Sequence, residues 1–386
     1  MTKRLSDDAP ANSRRMNVFL IQGRIPKVIK YLGSKRTLVP MLGAIASAIG
    51  AQTAVDLFTG TTRVSQEFKR RGIHVTAVDI ASYSEVLSRC FIETDAAAVA
   101  TIELEQAVAR LGSLAGTPGY VTRTFCEEAR YFQPKNGERI DAIRDAIEAD
   151  YRGTAFYPIL LTALLLAADR VDSTTGVQMA YLKNWAPRSY KDLDLRVPEL
   201  LLGRGDALRT DALEAVRMLP RTELMYLDPP YNQHRYFTNY HVWETLVRWD
   251  RPEAYGVARK RIDSRNDATK SVFNRKREMP RAFGELLGRV RADTVVVSYN
   301  DEAWITPAQM MTELRDAGHE EVRMLAFDAK RYVGAQIGIH SPAGVKVGTV
   351  SHLRNTEYLF VAGERSRVEA AAGAVVETGV LPAPTR

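Results

Sequence analysis

Short apolar runs, five or six residues long, punctuate the chain and end in polar or turn-forming residues. Thr53–Leu57, His74–Val78, Glu223–Leu227, Thr294–Ser298, Glu321–Ala326 and Glu357–Val361 read as buried strands, and a weaker run lies near Leu200–Leu202. Segments with helical spacing separate them. Strands alternating with helices predict an α/β fold built on a doubly wound, mostly parallel sheet. In such sheets ligands bind outside the carboxyl ends of the strands, where strand order reverses.

The alternation stops between about Glu85 and Glu199. That stretch has helical patterns, such as Arg139–Ala149 and Tyr157–Ala168, and no strand-ending motif. It reads as a helical insertion (85–199), or second domain, in an α/β domain made of 26–84 and 200–364. Residues 1–25 and 365–386 read as loosely ordered tails.

With 386 residues, 45% hydrophobic and 26% charged, the chain has the composition of a soluble globular protein. A net charge of +7 points toward a polyanionic partner. Cys90 and Cys126 stand far apart and suggest neither a disulfide framework nor a metal pair, which fits a reducing cytoplasm. The six histidines are scattered, so no zinc site is expected. The longest apolar stretch, Pro158–Ala168, is about half the length of a membrane span, and no secretory signal is visible.

Chemistry concentrates at strand ends. Asp228-Pro229-Pro230-Tyr231 follows the strand ending at Leu227. An acid, two stiff prolines and an aromatic ring suit a planar, amine-bearing base. Asp228 and the Pro229 carbonyl would accept the two amine protons, and Tyr231 would stack on the ring. Asp56-Leu57-Phe58-Thr59-Gly60-Thr61-Thr62 is a small-residue turn where backbone can approach a ligand. It is neither a dinucleotide fingerprint nor a P-loop. Asp79, roughly twenty residues past Gly60, suits the two hydroxyls of a ribose, and Tyr83 suits a ring or the core. Asp206 in Gly203-Arg204-Gly205-Asp206 is a weaker candidate, readable as an ordinary turn. In Tyr31-Leu32-Gly33-Ser34-Lys35-Arg36 the lysine at a helix-opening turn can pair with a carboxylate. Ser298-Tyr299-Asn300 can shape a base pocket or cap the next element.

Taken together, these residues resemble the DNA adenine-N6 methyltransferases, in the group that includes the Dam methylases. The order is that group's: Tyr31–Arg36, Asp56–Thr62, the 85–199 insertion, then Asp228–Tyr231. The resemblance covers most of residues 28 to 362. It implies a seven-stranded Rossmann-like methyltransferase sheet, S-adenosylmethionine as methyl donor, and a target-recognition role for the insertion. It places Tyr31, Gly33 and Lys35 near the methionine end of the cofactor, and Asp56, Phe58 and Gly60 on the cofactor turn. Asp79 is assigned to the ribose, Asp206 to the cofactor's adenine, and Asp228, Pro229, Pro230 and Tyr231 to the target base. One departure stands out: Thr62 occupies the place of a second glycine.

The implied reaction is direct methyl transfer to a flipped adenine in double-stranded DNA, in a restriction–modification or a solitary methylation system, with a separate restriction endonuclease as a candidate partner; a monomer is the default expectation. RNA methylation and a non-catalytic DNA-binding module are the alternatives. Cytosine-N4 methylation ranks below them, because those enzymes usually carry serine at the position of Asp228. For DNA backbone contact the candidate is the basic stretch Arg248–Arg291; His234, Arg235 and Asn239 are placed to touch substrate, and in the insertion Arg123, Arg130, Lys135, Asn136, Arg139, Lys183, Asn184, Arg188 and Lys191 can face DNA. Tyr236, Tyr240, Trp243 and Val247 share one helical face and are expected in the core.

Overall fold

The computed structural model describes residues 28–33, 35–182, 184–230, 235–330, 339–340, 346–348 and 354–378. The main-sheet strands are β1 (Thr53–Asp56), β2 (His74–Asp79), β3 (Asp206–Arg209), β4 (Thr222–Leu227), β7 (Ala292–Asn300), β8 (Glu321–Lys330) and β11 (Arg354–Gly363). Two short ribbons, β5 (Ala254–Tyr255) with β6 (Lys260–Arg261) and β9 (Ile339–His340) with β10 (Lys346–Gly348), lie outside it. The seven strands run in the order β3-β2-β1-β4-β7-β11-β8. All neighbours pair in parallel except β11, which is antiparallel to both β7 and β8.

Strand residues alternate between two apolar cores, as a period of two requires. Ala54, Val75, Leu224, Tyr226 and Val296 face one side; Val55, Val78, Met225, Leu227 and Val297 face the other. The first side is covered by α1 (Val39–Ala48), α2 (Arg63–Arg70), α3 (Ser82–Ser88), α4 (Thr101–Gly112), α5 (Pro134–Tyr151) and α6 (Phe156–Val171). The short helix α8 (Tyr236–Asn239) and α9 (His241–Arg248) join them. The second side is covered by α7 (Ala212–Met218), α10 (Met279–Leu287) and α11 (Pro307–Asp316). Local signals fix several ends. Asp211 accepts Leu213 N–H to start α7, and Thr306 with Gln309 forms a capping box on α11.

Two expectations change. The third strand is not Leu200–Leu202 but Asp206–Arg209. It is short and half-exposed, so it shows no apolar run, and Gly205 lets it close on β2: a Cβ there would meet the Val75 carbonyl at 2.4 Å. The stretch after Glu364 is not loose through Glu377. Arg365–Glu377 is a helix that buries Val368, Ala371, Ala372 and Val375, since its alanines and valines recur at helical spacing. Between residues 85 and 199 lie α4, α5 and α6, whose Leu104, Ile140 and Leu160 belong to the same apolar cluster as the sheet. Among the described residues no helix is long and apolar enough to cross a membrane, and both cysteines are buried free thiols.

Candidate active site

Strand order reverses between β1 and β4, which are neighbours. The carboxyl ends of those two strands deliver Asp56 and Asp228 to the same edge. Asp56 is buried, and its Oδ2 accepts a 2.6 Å hydrogen bond from Ser65, whose hydroxyl also meets Thr59 at 2.7 Å. Its Oδ1 is buried with no partner among the described residues. Burial pushes its carboxyl up to about 7, against the pull of Ser65 and Thr59.

The turn after β1 is built for close approach. Gly60 has φ of +52°, and a Cβ there would meet the Tyr31 ring at 3.1 Å. Asp79, at the tip of β2, accepts Gly60 N–H through Oδ2 and Ala81 N–H through Oδ1, both at 2.9 Å. Burial raises its carboxyl; those backbone bonds oppose the rise. Thr62 takes the left-handed conformation, φ 66° and ψ 10°, that a glycine would adopt freely. That costs a β-branched residue roughly 1–2 kcal/mol. Its hydroxyl donates to the Thr61 carbonyl at 2.6 Å and accepts from Gln66 Nε2 at 2.7 Å, so local bonding holds the strained residue.

Asp228 is held from two directions. Lys35 Nζ lies 3.2 Å from its Oδ1, and Ser298 Oγ donates to the same oxygen at 2.9 Å. Since the Ser298 hydrogen is spent on Asp228, Tyr226 OH donates to Ser298 Oγ across 2.8 Å. Glu357 shares Lys35 at 3.4 Å. Burial raises the Asp228 carboxyl, Lys35 and Ser298 pull it down, and Glu357 raises it. Both of these side-chain contacts fall on Oδ1.

An aromatic group closes one side. Tyr31 stacks on Tyr236 (5.3 Å, 20°) and Tyr240 (4.7 Å, 17°), and the Tyr83 ring lies 6.5 Å away. Gly33, at φ +74°, sits where a Cβ would be 3.4 Å from Tyr236 OH. Phe58 packs edge-on to Phe273 at 5.3 Å.

Most predicted site residues therefore converge: Tyr31, Gly33, Lys35, Asp56, Gly60, Asp79, Asp228 and Pro229 share this edge. Tyr231 and His234 lie outside the described residues. Asp206 does not join them. It pairs with Thr76 in parallel register, whereas Arg209 pairs with Asp79. That puts Asp206 at the amino end of β3, about 10 Å below the cofactor edge at 3.3 Å per residue. There it meets His74 Nε2 at 2.7 Å. The edge position after β3 belongs to Thr210 and Asp211. Sequence reasoning also missed Glu357 and Glu244. Glu244 is buried on α9 and accepts Ser82 N–H at 3.0 Å, tying the segment behind the base motif to the loop after Asp79. Nothing in the linear sequence marks a residue whose partner is 162 positions away. Tyr236 and Tyr240 were expected as core; Tyr240 is buried, but both rings also stack on Tyr31.

The DNA-contact candidates divide. Asn136 and Asn239 are buried. The Asn136 side chain clamps Leu193 N–H and the Lys191 carbonyl and is not available to a ligand, and the Asn239 backbone carbonyl accepts Gln178 N–H. Much of the basic stretch is neutralised internally. Arg248 and Arg261 share Asp250 and Asp263, Arg251 binds Asp145, Arg259 binds Glu128 and Arg275 binds Glu278. In the insertion Lys135 binds Asp192, Arg188 binds Asp172, Arg139 donates to the Gly112 carbonyl, and Arg130 lies over Trp185. Lys276 and Arg277 remain exposed. Arg123, Arg251 and Arg259 line adjoining cavities of about 340 and 380 Å³ between the insertion and the β5–β6 hairpin.

This sheet order, its one antiparallel strand and the acid-bearing edge at the switch point define a Rossmann-like methyltransferase. Residues 31–312 match the model of the D12 class N6 adenine-specific DNA methyltransferases, and the chain belongs to that family. It is 30% identical over 298 residues to the type II methyltransferase M.NlaIII of Neisseria lactamica, covering 73% of this chain and 86% of that one. It is 29% identical over 308 residues to the type II methyltransferase M.CviAII of Paramecium bursaria Chlorella virus 1, covering 76% and 90%. The modification methylase StsI of Streptococcus sanguinis is 27% identical over 306 residues, 75% of this chain but only 46% of that protein.

Proposed function

We propose that this chain transfers the methyl group of S-adenosylmethionine to N6 of adenine at a defined short sequence in duplex DNA, as the modification half of a restriction–modification system. The observation that carries this reading is Asp228, fixed by Lys35 and Ser298 through Oδ1 at the switch point, beside the Asp56–Gly60 turn. The cofactor fits these residues: the turn lacks the Cβ that would fill it, and Asp56 Oδ1 is a buried acceptor with no partner among the described residues. S-adenosylmethionine, when bound, supplies a methyl group made electrophilic by its sulfonium. Asp79 suits its ribose hydroxyls, and Tyr31, Gly33, Asp56, Phe58 and Gly60 line the remainder. Lys35 is engaged by Asp228 and Glu357, so its role is to orient the base-binding carboxylate.

Adenine N6 is a poor nucleophile because its lone pair is delocalised into the ring. The Asp228 carboxylate and the Pro229 carbonyl would each accept a hydrogen bond from one amine N–H, and the one proton that N6 loses on methylation would pass to the Asp228 carboxylate. Two acceptors bias the nitrogen toward tetrahedral geometry and localise the lone pair where the methyl arrives. Rate comes from positioning and preorganised charge. The base must leave the helix to reach this edge, at a cost of a few kcal/mol, and Tyr231 would return part of it by stacking. Helices α4–α6, with Lys276 and Arg277, are proposed to grip the duplex around the target.

The test supplies labelled S-adenosylmethionine and duplex DNA, then analyses nucleosides and maps modified sites. N6-methyladenine at one motif is expected, with transfer reduced at least about 100-fold in Asp228→Asn, the order of loss when one preorganised polar group is removed. Equal rates for the variant and the wild type would reject the carboxylate's role. Transfer to RNA and not to DNA would reject the substrate.

A further inference from the structure

Helices α1 and α2 run parallel, side by side. Arg71 Nη1 donates to Ser47 Oγ at 2.8 Å, and a Cβ on Gly43 would strike both Glu67 and Arg71 at 2.4 Å. Their amino ends therefore lie together, at the edge that carries the Gly60 turn and Lys35. Neither end has a side-chain cap or an acid in its first turn. Arginines stand there instead. Arg36 is exposed in the turn before α1, and Arg63 is half-buried as the first residue of α2. Arg63 Nε is fully buried and has no partner among the described residues. Among the described residues neither guanidinium meets a carboxylate. Arg70 and Arg71, at the far end of the same helix, are both bonded to Glu67. Burial and the nearby charge of Arg36 both push the Arg63 guanidinium below its usual range.

Two cations with no carboxylate partner among the described residues, beside the amino end of α2, make a poor resting arrangement and a good oxyanion seat. Lys35, adjacent to Arg36, reaches Asp228 at 3.2 Å, so the seat borders the target-base site. Arg36 opens to solvent, which suits a ligand arriving as part of a large molecule. We propose that Arg36 and Arg63 clamp a DNA phosphodiester flanking the extruded adenine. An extruded nucleotide rotates about its backbone, and its flanking phosphates need fixed partners if the base is to stay seated. This inference rests on the DNA-adenine reading above.

The experiment uses full-length wild type, Arg36→Gln, Arg63→Gln and Arg63→Lys. Cofactor affinity is measured by calorimetry without DNA. DNA affinity is measured across a potassium chloride series on a target duplex and a scrambled one. Each Gln variant is expected to lower the slope of log K against log salt by about 1, to weaken both duplexes alike, and to bind S-adenosylmethionine within about twofold of wild type. Arg63→Lys restores part of the slope. An unchanged slope overturns the clamp. A tenfold or greater loss of cofactor affinity with an unchanged slope also overturns it, and assigns the oxyanion to the cofactor's carboxylate. If Arg63→Gln does not fold, the exposed Arg36→Gln carries the test. A wild type that methylates no adenine rejects the proposed function itself; active enzyme with unaltered slopes rejects the clamp alone.

Discussion

Replacing Ser298 by alanine removes one of the two groups that hold Asp228 Oδ1, without touching the base motif or the cofactor turn. A hydrogen bond to a charged group contributes about 1.5–3 kcal/mol. If that bond is needed to aim the carboxylate in the transition state, kcat falls by about 10- to 150-fold. Affinity for S-adenosylmethionine stays the same. The pH profile distinguishes positioning from simple damage. Ser298 favours the ionised form of Asp228, so its loss raises that carboxyl further. Activity needs the carboxylate, and the acid limb of kcat moves to higher pH. Tyr226→Phe is the control. It loses the hydroxyl that donates to Ser298 but leaves the Ser298–Asp228 bond in place. It is expected to lower stability by about 1 kcal/mol with kcat within about threefold of wild type. Single-turnover methyl transfer over pH 5 to 9, with thermal melts of both variants, reads all of this. Ser298→Ala with the kcat and acid limb of wild type would refute the argument.

Asp56 gives a stability prediction. Its carboxyl rises from 3.8 to about 7 on folding, which corresponds to roughly 4 kcal/mol by linkage. Between those values the folded chain binds the proton and the unfolded chain does not, so this contribution is full at low pH and is lost as pH climbs through about 7. Asp56→Asn should flatten the fall in Tm of the cofactor-free protein between pH 5 and 8; a parallel decline in both proteins would contradict it. Asp206→Ala should leave S-adenosylmethionine affinity within about twofold, because Asp206 lies at the amino end of its strand, whereas Asp79→Ala should weaken it at least about tenfold through loss of charge-assisted bonds. Calorimetry on the two variants decides that pair.

Local pattern carried a large part of this reading. The apolar runs located six of the seven sheet strands, because a buried strand must show its hydrophobic face over consecutive residues. Asp228-Pro229-Pro230-Tyr231 after one strand and the Gly60 turn after another pointed to the proposed chemistry, because gripping a base and close backbone approach need particular residue types side by side. The third strand stayed hidden because a short, half-exposed strand leaves no apolar run, and Asp206 was misplaced with it.

Contacts across the chain were decided only by tertiary structure. Lys35 and Glu357 are 322 positions apart, and Asp228 and Ser298 are 70 apart. The crossovers that set β4 between β1 and β7 bring Asp228 and Ser298 together, and β11 lies against β7. Whether an arginine is available to DNA depends likewise on which carboxylates the fold places beside it. Sequence shows Arg259-Lys260-Arg261 as a basic cluster, and the fold pairs two of the three with acids. The parallel packing of two helices brings Arg36 and Arg63 together, with no carboxylate partner among the described residues. Sequence thus determined the class of fold and the kind of chemistry, which depend on neighbours along the chain. Folding decided which charges are spent and which remain, because that depends on neighbours in space.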